Sequence, residues 1–211
     1  MKYLQLLVTL SVMTCYSAAQ TRGGQLLYLA SQQDKAIIAY ELSRETGALT
    51  KRFQLELPAT PGPMAFSPDK SFVYVALSGL EDVGAAAATL ARGTDGSLTL
   101  KETAAIKGGA PYIQCSRDGR CFLAAHYGAG DVTVYRITDG ICTDQQLDFR
   151  KTAGKAHCIE LDVSGQFVFV PHTGPNRVYQ FRLDSNAGKL TPSDPPYVDG
   201  PDEDHLYHQL T

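Results

Sequence analysis

Apolar and polar residues alternate with a period of two in short runs along this chain, and the runs recur. LLYLA at 26–30, FVYVA at 72–76, CFLAA at 121–125 and FVFVP at 167–171 stand 46 to 49 residues apart. Three of them are followed by a turn and a second alternating run: AIIAYEL at 36–42, VTVYRI at 132–137 and RVYQFRL at 177–183. A period of two is a strand signal, because successive side chains on a strand point to opposite faces. Tight polar turns precede three of the runs, SPDKS at 67–71, SRDGR at 116–120 and DVSGQ at 162–166. Glycine-centred hairpins close three repeats, TGALT at 46–50, DGSLT at 95–99 and AGKLT at 187–191, with ITDG at 137–140 a partial match in the remaining one. Gly, Asp and Asn between runs supply the positive φ that tight hairpins need. A repeat of this length holding four short strands is a β-propeller blade. The chain is therefore expected to be all-β, with four propeller repeats over about residues 25–211. The second repeat is irregular, since VGAAAATL at 83–90 offers only small side chains to its neighbours.

Composition changes the picture at the N-terminus. Lys2, the apolar run from Leu4 to Met13 and the small residues Ser17, Ala18 and Ala19 before Gln20 have the layout of a secretory signal peptide. The reading is therefore a leader over 1–19 and a partial propeller over 20–211, with a periplasmic or secreted location. A buried N-terminal strand is the alternative for that leader. The apolar run is too short to span a bilayer. Without Lys2 the chain holds 18 basic and 22 acidic residues, which gives no electrostatic reason to expect nucleic acid. Cys115, Cys121, Cys142 and Cys158 follow the leader at spacings that match no zinc site. Cys115 and Cys121 flank the SRDGR turn, so a hairpin would set them opposite each other and permit a disulfide. Two buried thiols on adjacent strands are the alternative.

The stretches GALT…SPDKSFVYVA, HYGAGDVTVYRI and KAHCIELDVSGQFVFVPHTGPNRVYQFRLDSNAGKLTP resemble the seven-bladed lactonase family, over the whole chain beyond the leader. That family includes bacterial 6-phosphogluconolactonase and the fungal 3-carboxy-cis,cis-muconate lactonising enzyme. The resemblance implies a small-molecule lactone or sugar-derived ligand and no cofactor. A ring of seven blades at about 45 residues each needs over 300 residues, so four repeats read as an incomplete ring of about four blades out of seven. An open arc leaves an apolar face at each end, which a partner would have to cover.

His157, in Lys155-Ala156-His157-Cys158, matches the family's histidine context and is the candidate catalytic residue. A neutral imidazole there can take a proton from water attacking a lactone carbonyl. In the family an Arg of a Gly-Pro-Arg-His motif is thought to supply positive charge, and a Glu further on completes the group. Here Asp202 stands at the Arg position. His126, where one strand turns toward the next, is the candidate substrate-binding residue at the channel mouth, with a plain strand-end histidine as its alternative. His172 occupies the equivalent turn of the next repeat, and Arg177 reads as a surface strand start. Asp202, Glu203, Asp204, His205 and His208 make a metal set only on paper, because Pro201 and the chain end do not support the helix it needs, so no metal is assigned. No Gly-x-Ser-x-Gly elbow or phosphate loop appears. Three readings stay open: a 6-phosphogluconolactonase-like hydrolase with weak turnover, a non-catalytic binding propeller or inactive fragment, and a muconate-type cycloisomerase.

Overall fold

A computed structural model of the chain describes residues 25–200. The leader at 1–19 and the acidic tail from Asp202 to His208 lie outside them. Fifteen strands and no helix fill the described residues, in four antiparallel sheets. The first blade holds β1 (Gln25–Ser31), β2 (Ala36–Leu42) and β3 (Leu49–Glu56). The second holds β4 (Thr60–Phe66), β5 (Phe72–Leu80), β6 (Gly84–Arg92) and β7 (Leu98–Ala105). The third holds β8 (Tyr112–Cys115), β9 (Cys121–His126), β10 (Asp131–Thr138) and β11 (Ile141–Lys151). The fourth holds β12 (Glu160–Leu161), β13 (Phe167–His172), β14 (Arg177–Asp184) and β15 (Lys189–Asp199). In every blade the strands lie side by side in chain order.

The first recurring apolar run is β1, which opens its three-stranded blade, and the other three, in β5, β9 and β13, are the second strands of theirs. Each of those three is preceded, across one of the polar turns, by a short inner strand: β4, β8 or β12. Those turns are built alike. Ser67 and Ser116 accept at their hydroxyls the N–H groups of Phe72 and Cys121. Asp162 does the same for Phe167 with its carboxylate. The outer two strands of every blade carry a register shift, which adds local twist.

The core is divided among the blade junctions. One cluster joins Ile37 and Leu57 to Val73, Val75, Ala86 and Leu90, between the first and second blades. Another joins Tyr74, Ala76 and Ala87 to Ile113, Phe122, Tyr135 and Ile137, between the second and third. A third joins Leu123, Val132 and Val134 to Ile159, Val168, Val170, Phe181 and Leu190, between the third and fourth. Each buried Leu, Ile, Val or Phe contributes about 1.5–3 kcal/mol, so these three layers hold the arc together. Tyrosines 46 residues apart lock two of the layers. Tyr28 donates to the Gly96 carbonyl at 2.5 Å, and Tyr74 to that of Gly140 at 3.0 Å.

The expected Cys115–Cys121 disulfide is not formed, and register explains why. Cys115 stands opposite Phe122, while Ser116 faces Cys121 and donates its N–H to the Cys121 carbonyl. A displacement of one residue turns side chains to opposite faces of a sheet. Cys115 accordingly packs between the second and third blades, and Cys121 between the third and fourth. All four cysteines of the described residues are free and buried, with burial pushing Cys115, Cys142 and Cys158 up to about 12 and Cys121 to about 11.

Candidate functional site

The β1–β2, β5–β6 and β9–β10 turns gather with the loop that enters β8 at one end of the arc. They line a cleft of about 670 Å³. Its wall includes Gln32, Ser78 and Tyr127, which occupy one repeat position in the first three blades. Pro61, Gly62 and Pro63 of β4 and the loop 106–111 complete it.

His157 sits in the loop between β11 and β12, half-buried. Its backbone N–H donates to the Pro171 carbonyl at 3.0 Å, which fixes the residue against β13. Its ring meets the Tyr127 ring edge to face, with centroids 6.0 Å apart. Tyr127 thus stands between the histidine and the cleft, and its hydroxyl lies 3.3 Å from that of Thr173. The His157 Nδ1 is buried without a partner among the described residues. Arg177 and Lys155 make other contacts. Arg177 pairs with Asp199 at 2.8 Å and covers the Tyr197 ring at 4.0 Å. Lys155, with φ +63°, is held by its backbone, donating to the Tyr127 carbonyl at 2.8 Å while its side chain is exposed.

His126 is fully buried. Its Nδ1 lies 3.0 Å from the Gly108 carbonyl and its Nε2 lies 2.8 Å from the Thr133 hydroxyl. The carbonyl places a proton on Nδ1, and a neutral ring then accepts the Thr133 hydroxyl at Nε2. Burial lowers its pKa, outweighing the Gly108 hydrogen bond. His126 therefore reaches the cleft only through the loop it holds. His172 is its counterpart, bonded to the Val170 carbonyl and the Thr152 hydroxyl at 2.8 Å each and likewise lowered by burial. Lys107 follows the same pattern of internal commitment: its ammonium lies 2.5 Å from the buried carboxylate of Asp131 and 5.0 Å from the centroid of the Phe149 ring.

A polar group absent from the sequence reading lies on the inner strands. Glu160 accepts hydrogen bonds from the Tyr112 hydroxyl and from Gln114 Nε2, the latter at 3.0 Å. Burial and the hydrogen bond to Glu160 both raise the Tyr112 pKa. Gln114 and Glu160 share a repeat position 46 residues apart, a signal that the spacing carried. No group of three or more metal-ligating side chains is close enough to hold an ion among the described residues.

The lactonase family of seven-bladed β-propellers matches residues 15–204. This chain belongs to that family. Two relatives of the lactonase family are the 6-phosphogluconolactonases of Erwinia tasmaniensis and of an Enterobacter species. The first is 33% identical over 80% of this chain and 49% of its own length, the second 30% over 82% and 51%. Among solved structures, the periplasmic gluconolactonase PpgL of Pseudomonas aeruginosa superposes with a TM-score of 0.68 at 20% identity, over 83% of this chain and 55% of that one. The four blades thus span about half the length of the lactonase-family relatives they match. No helix of the described residues is long and apolar enough to cross a membrane.

Proposed function

We propose that these blades carry part of the site of a sugar-lactone hydrolase, with His157 as the group that takes a proton from the attacking water. The observation that carries this reading is the His157–Tyr127 pair beside a 670 Å³ cleft, in a lactonase-family fold. The geometry also sets a limit on rate. For Nε2 to accept a proton, Nδ1 must carry the other one, and that buried nitrogen meets no acceptor among the described residues. Catalytic histidines usually have this N–H oriented by a carboxylate or carbonyl, which also stabilises the imidazolium. Among the described residues no hydrogen bond or ion pair ties a cation to His157 as an oxyanion partner, a contribution of about 10²–10³ in rate where it exists.

The 211-residue chain is accordingly expected to open gluconolactone slowly, and more slowly still in a His157→Ala variant. Turnover unchanged by that substitution would sink the assignment of the base. Binding without any turnover would favour the second reading, a non-catalytic propeller, which the unpartnered Nδ1 supports. We further propose export through the leader at 1–19. Protein recovered from the periplasm should begin at Gln20 on N-terminal sequencing, and a start at Met1 would reject the leader.

A further inference from the structure

The loop that enters each inner strand is the same piece of backbone in the third and fourth blades. Gly109 and Lys155 are equivalent, with φ +75° and +63°. The carbonyl of each accepts a hydrogen bond from the next-repeated turn, Tyr127 N–H to Gly109 at 3.2 Å and Thr173 N–H to Lys155 at 3.1 Å. Their N–H groups differ. Lys155 donates across the blade junction to the Tyr127 carbonyl, whereas Gly109 has no acceptor among the described residues. The equivalent of Tyr127 in the second blade is Ser78, where the β5–β6 pairing shifts register before Leu80. The cleft opens at this junction.

The direction of the free amides follows from peptide geometry. In a trans peptide the N–H points opposite to the C=O of the same unit. The Gly108 carbonyl points to His126 Nδ1 at 3.0 Å, and the Gly109 carbonyl to the Tyr127 N–H. The N–H groups of Gly109 and Ala110 therefore both point away from the β9–β10 turn, and both residues line the cleft. Neither amide has an acceptor among the described residues. Adjacent backbone amides of this kind make an anion site. Lys107 is the one charged residue on the cleft wall, and its ammonium is committed to Asp131. That leaves partial positive charge without a free cation, which suits a singly charged carboxylate better than a phosphate dianion. Gln32, Ser78 and Tyr127 are neutral residues with hydrogen-bonding side chains on the same wall, suited to sugar hydroxyls.

We propose that the Gly109 and Ala110 amides form a carboxylate-binding corner for a polyhydroxy acid, with His126 as the positioning residue that aims the loop. This deepens the lactone reading, and rests on it only for the choice of a sugar acid.

The test is a titration of the ¹⁵N-labelled full chain with sodium gluconate, using sorbitol and inorganic phosphate as comparison probes. Gluconate should shift the Gly109 and Ala110 amide protons saturably, with sorbitol leaving them in place and phosphate binding more weakly. Ser78 is exposed on the cleft wall. Ser78→Lys should tighten gluconate binding, and Ser78→Glu weaken it, each by about threefold to tenfold at low salt. Unmoved amides, an equal response to sorbitol, or tighter binding of phosphate would overturn the proposal. Turnover of gluconolactone with unmoved amides would overturn this corner while leaving the hydrolase reading in place. Shifted amides without turnover would do the reverse.

Discussion

The junction between the third and fourth blades and the junction between the second and third are built from the same repeat, yet one is sealed and the other open. At the sealed junction the Lys155 N–H reaches the Tyr127 carbonyl, the Tyr127 and Thr173 hydroxyls meet, and Glu160 takes hydrogen bonds from Tyr112 and Gln114. At the open one the second blade presents Ser78 and a row of alanines, and a cleft remains. A propeller thus gains a binding surface without a dedicated insertion, because the loss of one acceptor per junction exposes backbone donors already in place.

The largest test of this contrast uses two glycines. Gly130 closes the β9–β10 turn with φ +65°, and a Cβ added there would lie 2.3 Å from the Ala153 carbonyl oxygen. Its own carbonyl accepts the Thr152 N–H that leads into the His157 loop. Gly130→Ala should cost about 3 kcal/mol, combining left-handed strain with a backbone clash. Gly109 has a similar φ but nothing within 4 Å of an added Cβ. Gly109→Ala should cost only the conformational part, about 1–2 kcal/mol. Urea unfolding of the two variants checks the order, and equal losses would mean that the open junction is as tightly packed as the sealed one.

How far the sequence revealed this contrast depended on what periodicity can register. β2, β9, β10, β13 and β14 alternate or run apolar and stand out. The inner strands do not, since β4 contains Pro61, Gly62 and Pro63 and β12 has two residues. His157 was visible in its local motif, but Tyr127 lies 30 residues away and meets it only through the fold. The cysteine pairing failed by one residue of register, which a turn of that length does not specify. Glu160 is legible in principle, because it repeats the polar position of Gln114, but charge on a short run reads as solvent-facing.

A smaller effect should separate the buried histidines from the site. His126 and His172 both have pKa values lowered by burial, so the unfolded chain binds protons that the folded chain refuses. Stability is then fully present above the unfolded value near 6.5 and declines as pH falls below it, toward each folded value. Unfolding free energy measured between pH 7.5 and 5 should fall with acid, and His172→Asn should flatten part of that slope. A flat profile in the parent chain would show that neither ring resists protonation. Asp69 and Asp162, each held near 2 mainly by hydrogen bonds in the polar turns, act in a separate window below about pH 4.

The smallest expected change concerns the outer bond of the seal. Tyr127 is 38% exposed, and its hydroxyl contact with Thr173 is long at 3.3 Å. Removing such a hydroxyl from a wet site costs little, since water replaces the lost partner and no buried group is orphaned. Tyr127→Phe should therefore move stability by no more than about 0.5 kcal/mol, while the ring keeps its edge contact with His157. Binding tells the two roles of this residue apart. If the hydroxyl serves only the seal, gluconate affinity is unchanged in the variant. If it also meets a ligand hydroxyl, affinity falls about fivefold to tenfold, the equivalent of one net hydrogen bond. A loss of several kcal/mol in stability would instead place the strength of the sealed junction in this one exposed bond, and the contrast between the junctions would then rest on a side chain and not on the backbone.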